Sequence, residues 1–284
     1  MNRLTFGISM LAATMLSPAA ISNSMDDVVI KAQQVSNNVY MLAGAGGNIG
    51  VLLGADGTLM IDDQFEPLAP KIEQAIANIE SAKQPKVSYV VNTHYHGDHS
   101  GGNVYFSKSA SLLAHENVRK RLAKKSDQGL PVITYESGVK LHLNNEDVHV
   151  MHLPAGHTDG DSVIYFANAN VWHLGDLFFQ NRFPYIDTDG GGSVKGYIQN
   201  ISSLLLKIDE SAPIIPGHGE LANKKDLQNL LSMIIATKLE VQTKRAAGDS
   251  LEDVLKAGLS EKWSSWHWSF ITEEKWIKTL YNSK

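Results

Sequence analysis

The chain of 284 residues contains no cysteine, which excludes disulfides, zinc fingers, iron–sulfur clusters and thiol nucleophiles. Positive charge is also scarce, because 25 Lys and Arg stand against 30 Asp and Glu, a formal net charge of −5. A nucleic-acid-binding protein needs an excess of basic residues, so this balance argues against nucleic acid as a partner. The chain does have 11 histidines, and 43% of its residues are hydrophobic, which is enough for a sizeable core.

Residues 1–24 have the composition of a secretory signal peptide. Arg3 supplies the positive charge, an apolar run extends over 4–16, and small residues surround a cleavage zone after it. This run is shorter than the roughly 20 apolar residues of a membrane span. An uncleaved anchor or a buried helix is the alternative. We therefore predict that residues 25–284 form one periplasmic or secreted domain, with no stable membrane insertion after cleavage.

The region after residue 24 alternates short apolar strands with segments of helical periodicity. This order is typical of sheets covered by helices within one α/β (α+β) domain, although periodicity alone does not decide how the sheets stack. We predict strands at 28–31, 39–43, 49–53, 58–62, 87–91, 111–114, 132–135, 139–143, 147–152, 162–167, 171–174 and 212–215. We predict helices at 68–79, 99–106, 116–125, 194–208, 224–247, 251–257 and 273–281.

The segment T-H-Y-H-G-D-H-S-G-G-N at 93–103 follows a buried-looking strand and carries four potential metal ligands. In an extended stretch His94 and His96 project to the same side. Asp98 and His99 lie at the start of the next predicted helix, where they can face a second ion. Neutral imidazole and carboxylate together suit zinc or a similar divalent ion.

Three later residues of ligand type each lie in a Gly-bearing loop at the end of a predicted strand. They are His157 in P-A-G-H-T-D-G-D, Asp176 in H-L-G-D, and His218 in P-G-H-G. Loops on a rigid scaffold are where binding sites are usually built. These residues therefore extend the predicted metal site beyond the first motif.

Taken together, the T-H-x-H-x-D-H-S-G-G block, G-H-T, G-D and G-H-G resemble the motifs of the metallo-β-lactamase superfamily, in the same order. The motifs span 93–219, and the order of strands and helices extends the resemblance over nearly the whole region after residue 24. The resemblance implies an αββα sandwich, in which two sheets face each other between outer helices. It also implies that one metal is held by His94, His96 and His157 and a second by Asp98, His99 and His218, with Asp176 bridging both.

Such a site implies a metal-dependent hydrolase with two Zn²⁺ ions, for which iron or manganese could substitute. Two divalent ions can share a water and lower its pKa toward neutrality, and the resulting bridging hydroxide attacks the substrate. Asp98 is the predicted catalytic residue because it can orient that hydroxide. The expected partner is a small-molecule carbonyl substrate: a β-lactam-like amide, a lactone or a thioester.

Asp176 bears on which of these substrates is expected. In the β-lactamase subclass with a mixed Asp-Cys-His second site, a cysteine stands at a comparable strand end. A carboxylate there resembles the thioester, lactone and phosphodiester hydrolases of the superfamily, including hydroxyacylglutathione hydrolases, and argues against strong β-lactamase activity. The alternatives are a phosphodiesterase or sulfatase-type metallo-hydrolase, or a non-catalytic metal-binding or interaction protein on the same scaffold.

Residues outside the motifs receive simpler interpretations. Arg182, Tyr185 and Lys195 could bind an anionic substrate, but we interpret them as solvated surface residues. The Gly-rich run 189–193 lacks the Lys-Ser/Thr of a phosphate loop and is interpreted as a flexible connection. The Trp-rich segment 263–268 could be a ligand wall or a membrane contact, but packing of a terminal helix is the preferred interpretation.

Overall fold

A computed structural model describes residues 25–82 and 84–283. The signal peptide predicted at 1–24 lies outside the described residues. The first sheet has seven strands in the order β1 to β7; β1 to β4 are antiparallel neighbours, and β4 to β7 run parallel. Its strands are β1 Lys31–Gln34, β2 Val39–Ala43, β3 Ile49–Leu52, β4 Thr58–Ile61, β5 Val87–Asn92, β6 Ser111–His115 and β7 Ile133–Tyr135.

The second sheet has five strands in the order β12-β11-β10-β9-β8. Strands β8 to β11 are antiparallel neighbours, and β12 joins β11 in parallel. The strands are β8 Gly138–Leu143, β9 Glu146–His152, β10 Ser162–Phe166, β11 Val171–His173 and β12 Ile214–Ile215.

The helices flank these sheets on their outer faces. They are α1 Ala69–Ala77, α2 Gly97–Ser100, α3 Asn103–Phe106, α4 Glu116–Leu122, α5 Val194–Leu205, α6 Lys224–Ala246, α7 Leu251–Ala257 and α8 Glu273–Asn282, with 3₁₀ turns at Glu66–Leu68, Gly175–Leu177 and Glu261–Trp266. Among the described residues, none of these helices is long and apolar enough to cross a membrane.

Three layers of buried apolar side chains separate the four layers of backbone. Successive side chains of β2 point into different layers. Met41 packs between the two sheets, whereas Leu42 packs with Ile72 of α1 on the outer side of the first sheet. On the far side, Trp172 of β11 packs with Ile201 of α5. The predicted αββα sandwich is therefore confirmed.

Two predicted elements differ from the structure in position or continuity, whereas the others differ at most in where they begin or end. The first strand lies at Lys31–Gln34 rather than 28–31, and all four of its residues are exposed, so they show no apolar alternation. The predicted helix 99–106 is two short helices interrupted at 101–102. Gly102 N donates to Gln64 O at 2.9 Å and to Asp63 Oδ1 at 2.9 Å, so tertiary contacts take the place of a continuous helix there.

Candidate metal centre

The centre lies at the carboxyl end of β5, where the first motif begins. Thr93 N and Oγ1 donate to the two oxygens of Asp62, at 2.7 and 2.8 Å, and so tie the motif to the loop after β4. His96 has extended backbone angles (φ −69°, ψ 149°) and is the N-cap of α2. The chain therefore leaves the strand extended and turns into a helix within the motif, as its sequence predicts.

The first ligand group consists of the side chains of His94, His96, His157 and Asp176. One ligand atom of each lies within 4.8 Å of the others. Asp176 Oδ2 is 3.3 Å from His157 Nε2 and 3.7 Å from His94 Nε2, and His157 Nε2 is 2.9 Å from His96 Nδ1. Residues far apart in sequence thus meet at the strand ends.

The second ligand group consists of Asp98, His99 and His218, again with ligand atoms within 4.8 Å of one another. His218 Nε2 is 3.3 Å from Asp98 Oδ2. The other oxygen of Asp176, Oδ1, faces this group and lies 3.0 Å from His99 Nε2 and 3.4 Å from His218 Nε2. Asp176 therefore stands between the two groups and presents one oxygen to each.

The polar atoms of this cluster are incompletely paired with one another. Among the described residues, His94 Nε2 and Asp176 Oδ1 are buried and form no hydrogen bond. Nε2 atoms of His99 and His218 also face each other at 3.5 Å. Buried polar atoms without partners are costly, so such a cluster calls for a cation. A donor set of imidazole nitrogens and carboxylate oxygens fits zinc and similar divalent ions.

Three ligand imidazoles, those of His96, His99 and His157, are also held by a contact to the ring nitrogen that faces away from the ligand group. Asp62 Oδ2 lies 2.7 Å from His99 Nδ1, Asp187 Oδ2 lies 2.9 Å from His96 Nε2, and Tyr185 O lies 2.7 Å from His157 Nδ1. Contacts of this kind fix the orientation of ligand rings. No sequence motif marks Asp62 or Asp187, so neither was predictable as a supporting residue.

Close backbone approach explains the glycine before His218. A Cβ on Gly217 would lie 2.1 Å from Asp176 Oδ1 and 2.6 Å from the carbonyl carbon of Gly175. Gly47 similarly abuts the His99 ring, where a Cβ would lie 2.1 Å from the ring carbon Cε1. Both glycines leave room for a ligand side chain.

The family model of the metallo-beta-lactamase superfamily matches residues 42–218, more than half of the chain. The chain belongs to this superfamily. A metallo-beta-lactamase type 2 from Bacillus sp. (strain 170) is 23% identical over 247 residues, 80% of this chain and 95% of that protein. A hydroxyacylglutathione hydrolase from Pelagibacter ubique (strain HTCC1062) is 28% identical over 99 residues, 34% of this chain and 38% of that protein.

Solved structures show the same fold. A metallo-beta-lactamase from Pontibacter korlensis superposes with a TM-score of 0.61 at 18% identity, covering 72% of this chain and 99% of that one. Family membership, together with the His/Asp cluster, identifies this metallo-β-lactamase superfamily protein as a metal-dependent hydrolase.

Burial and charge set the protonation of the cluster in this superfamily member. Burial lowers the pKa of His157 to about 4. For His218, burial opposes protonation, but the carboxylates of Asp176 and Asp98 raise its pKa to about 9. Burial likewise opposes ionisation of Asp176, yet the surrounding histidines hold its pKa well below the ordinary value. Asp176 is therefore a charged carboxylate and His157 a neutral imidazole, which are the forms that bind metals.

A cleft of about 740 Å³ opens over both ligand groups. Its aromatic wall beside His218 consists of Phe179, Tyr185, Trp268 and Phe270, and Phe65 and Tyr95 line the cleft as well. Phe179 stacks on the His218 ring, with centroids 4.9 Å apart. Arg182 lies over the Trp268 ring at 5.1 Å and lines the cleft.

Several interpretations from the sequence change here. Arg182 and Tyr185 were interpreted as solvated surface, but they are partly buried and line the cleft, so that interpretation is wrong for both; Lys195 is exposed, as expected. Trp268 forms part of a ligand wall as well as packing, because its Nε1 donates to Phe183 O at 2.9 Å.

The Gly-rich run is also more than a flexible connection. Gly190 N donates to Asp187 Oδ1 at 2.8 Å, and Gly192 N donates to Asp187 O at 2.7 Å. A Cβ on Gly190 would lie 2.6 Å from the hydroxyl of Tyr95, which itself donates to Asp187. The run therefore folds tightly against the residues that support His96.

Proposed function

We propose that this protein is a dinuclear zinc hydrolase that acts on the carbonyl group of a small molecule: a β-lactam-like amide, a lactone or a thioester. The observation that carries the proposal is the position of Asp176, which offers one oxygen to each of two ligand groups. The proposed ligands are His94, His96, His157, Asp98, His99 and His218, with Asp176 bridging.

When bound, two divalent ions would lower the pKa of a shared water and polarise the substrate carbonyl. The chain's own contribution centres on Asp98, whose side chain is 25% exposed and lines the cleft, whereas that of Asp176 is 4% exposed. Asp98 is therefore the carboxylate best placed to orient the attacking water.

The proton balance of the reaction supports the same assignment. Hydrolysis joins the water oxygen to the carbonyl carbon and breaks the bond from that carbon to nitrogen, oxygen or sulfur. A proton must then pass from the water to the leaving atom. Asp98 lies at the surface of the cleft where that transfer takes place, and we assign it as the catalytic residue.

The cleft supports a small-molecule substrate with an apolar part. Its volume of about 740 Å³ lies within the range of pockets that hold compounds of drug size. The aromatic wall places Trp268 and Phe179 beside His218. Similarity to both a metallo-beta-lactamase type 2 and a hydroxyacylglutathione hydrolase favours amides and thioesters as the classes to test.

We also infer that residues 1–24 direct export, and that 25–284 form the periplasmic or secreted hydrolase. The inference rests on the charge, apolar run and small residues of the first 24 positions. Expression of the full chain followed by cell fractionation and N-terminal sequencing tests it. An exported product that begins near residue 25 supports the inference, and an intact chain in the cytoplasm contradicts it.

Metal analysis combined with a hydrolase panel tests the proposed function. The purified protein should contain about two divalent ions per chain, and should hydrolyse at least one of nitrocefin, a lactone and a thioester. His157→Ala and His218→Ala should each lower the metal content and abolish turnover. His142→Ala, at an exposed histidine outside both ligand groups, is the matched control and should do neither. Hydrolysis that persists after complete metal removal would contradict the proposal.

A further inference from the structure

Two cations line the cleft, and each lies over an aromatic ring beside a different ligand group. Arg182 lies 5.1 Å from the centre of the Trp268 ring, which is 6.1 Å from the ring of His218 in the second group. Lys125 lies 5.1 Å from the centre of the Tyr95 ring, which is 4.6 Å from the ring of His96 in the first group. The two cations therefore line one cleft and stand beside different ligand groups.

Neither cation forms an ion pair within residues 25–82 and 84–283. Arg182 forms one hydrogen bond there, from Nε to Gln180 O at 3.4 Å, and the amino group of Lys125 forms none. The carboxylates of the cleft have other partners: Asp98 and Asp176 face the imidazoles, and Asp187 accepts from Tyr95. The positive charges of the cleft walls are thus left for a bound molecule.

We propose that the substrate carries two carboxylates, one on each side of the scissile bond, and that Arg182 and Lys125 recognise them. The inference rests on the proposed function and names its substrate class. A guanidinium presents a planar fork of donors that matches a carboxylate, and an ammonium attracts one as a compact charge. Partial burial of Arg182 against Trp268 strengthens its pairing with an anion, because water screens the charges less there.

The two aromatic rings contribute to the same recognition. Tyr95 and Trp268 hold the cations by cation–π contact and leave apolar surface for the body of the substrate. The expected substrate is therefore a dicarboxylate with an apolar centre, such as an acyl thioester with one carboxylate in the acyl half and another in the thiol half.

Four matched thioesters test this proposal. The acyl half is hexanoyl or adipyl, and the thiol half is thiophenol or 3-mercaptobenzoate, so that each half is supplied with and without a carboxylate. The wild type should show the highest kcat/KM on the doubly charged thioester, with each carboxylate contributing about tenfold, mainly through KM.

The two variants should each lose the preference for a carboxylate in a different half of the thioester. Arg182→Gln should lower kcat/KM for thioesters with a carboxylate in one half about tenfold more than for the uncharged thioester, and Lys125→Gln should do so for thioesters with a carboxylate in the other half. Lys124→Gln is the matched control for the lysine. Arg245→Gln is the control for the arginine, because Arg245 also lies over an aromatic ring, Tyr281, but does not line the cleft.

Three results would overturn the inference: equal losses on all four thioesters, loss of the same carboxylate preference in both variants, or no preference in the wild type. If no thioester is hydrolysed, the proposed function fails for this class, and calorimetric binding of the thioether analogue of the doubly charged compound decides the inference instead. Binding that Arg182→Gln and Lys125→Gln each weaken about tenfold, unlike the controls, supports it. Binding that neither variant changes, or no binding, contradicts it.

Discussion

Asp187 is the residue whose replacement tests the support of the first ligand group. Its Oδ2 lies 2.9 Å from His96 Nε2, its Oδ1 accepts from Gly190 N at 2.8 Å, and the hydroxyl of Tyr95 donates to it. Burial opposes its ionisation, but the hydrogen bonds from Tyr95 and His96 lower its pKa to about 2. At neutral pH Asp187 is therefore a carboxylate that fixes the ring of His96 with Nδ1 toward the first ligand group.

Asp187→Asn retains the size of the side chain and removes its charge. Loss of a partner that orients a ligand imidazole typically weakens metal binding about 10–100-fold, which corresponds to about 1.4–2.7 kcal/mol. The lower part of that range is expected here, because an asparagine oxygen can still accept from His96 Nε2. In the proposed dinuclear centre the second ligand group has no contact with Asp187, so the weakening should be confined to the ion held by the first group.

Competition against a chromogenic chelator measures the two dissociation constants. The matched control is Asp159→Asn, because Asp159 pairs with Arg121 at 2.6 Å near the same loop and contacts no proposed ligand side chain. Weakening of both ions, or an effect of Asp159→Asn as large as that of Asp187→Asn, would refute the orienting role. A dissociation constant within threefold of the wild-type value would refute it as well.

Further predictions concern the pH dependence, the packing and the loop before His218. Between pH 4 and 6.5 the unfolded chain binds more protons at His157 than the folded chain does, and between 6.5 and 9 the folded chain binds more at His218. The melting temperature of the metal-free protein should therefore be highest near pH 6.5 and fall on either side, and the alkaline decline should be smaller in His218→Gln, because His99, whose pKa the neighbouring carboxylates also raise, still contributes to it. Trp276→Ala should lower the free energy of unfolding in urea by about 3–5 kcal/mol, because this indole is fully buried; Trp276→Phe should cost less. Gly217→Ala should displace Asp176 and weaken metal binding in a chelator titration, and unchanged binding would contradict the close approach of Gly217 to Asp176.

The sequence predicted most of the fold because its strands are buried and its helices are amphipathic. For example, β5 and α5 begin where the pattern places them, and Ser193 caps α5 by accepting from Gly196 N. The strand β1 was misplaced because its exposed residues have no apolar alternation; the apolar side chains before it, such as Ile30, pack beside the first sheet instead.

The candidate ligands were predictable for a different reason, since their spacing and order follow a family motif. Their supporting residues were not. Asp62 reaches His99 across 37 positions and Asp187 reaches His96 across 91, so only tertiary packing brings them together. One local feature of Asp62 becomes visible only in the structure: its φ of 63° is in the left-handed region, which is costly for a residue other than glycine.

The chain has no cysteine, and the residue that lies between the two ligand groups is Asp176, a carboxylate. A cysteine offers one sulfur atom, whereas the carboxylate of Asp176 has two oxygens, and these face different ligand groups. The same carboxylate is almost fully buried, but the surrounding imidazoles hold its pKa well below the ordinary value, so it remains charged. Asp98 differs by being partly exposed in the cleft. We infer that burial divides the roles of the two carboxylates: Asp176 couples the two ion sites, and Asp98 exchanges protons with the reacting molecule.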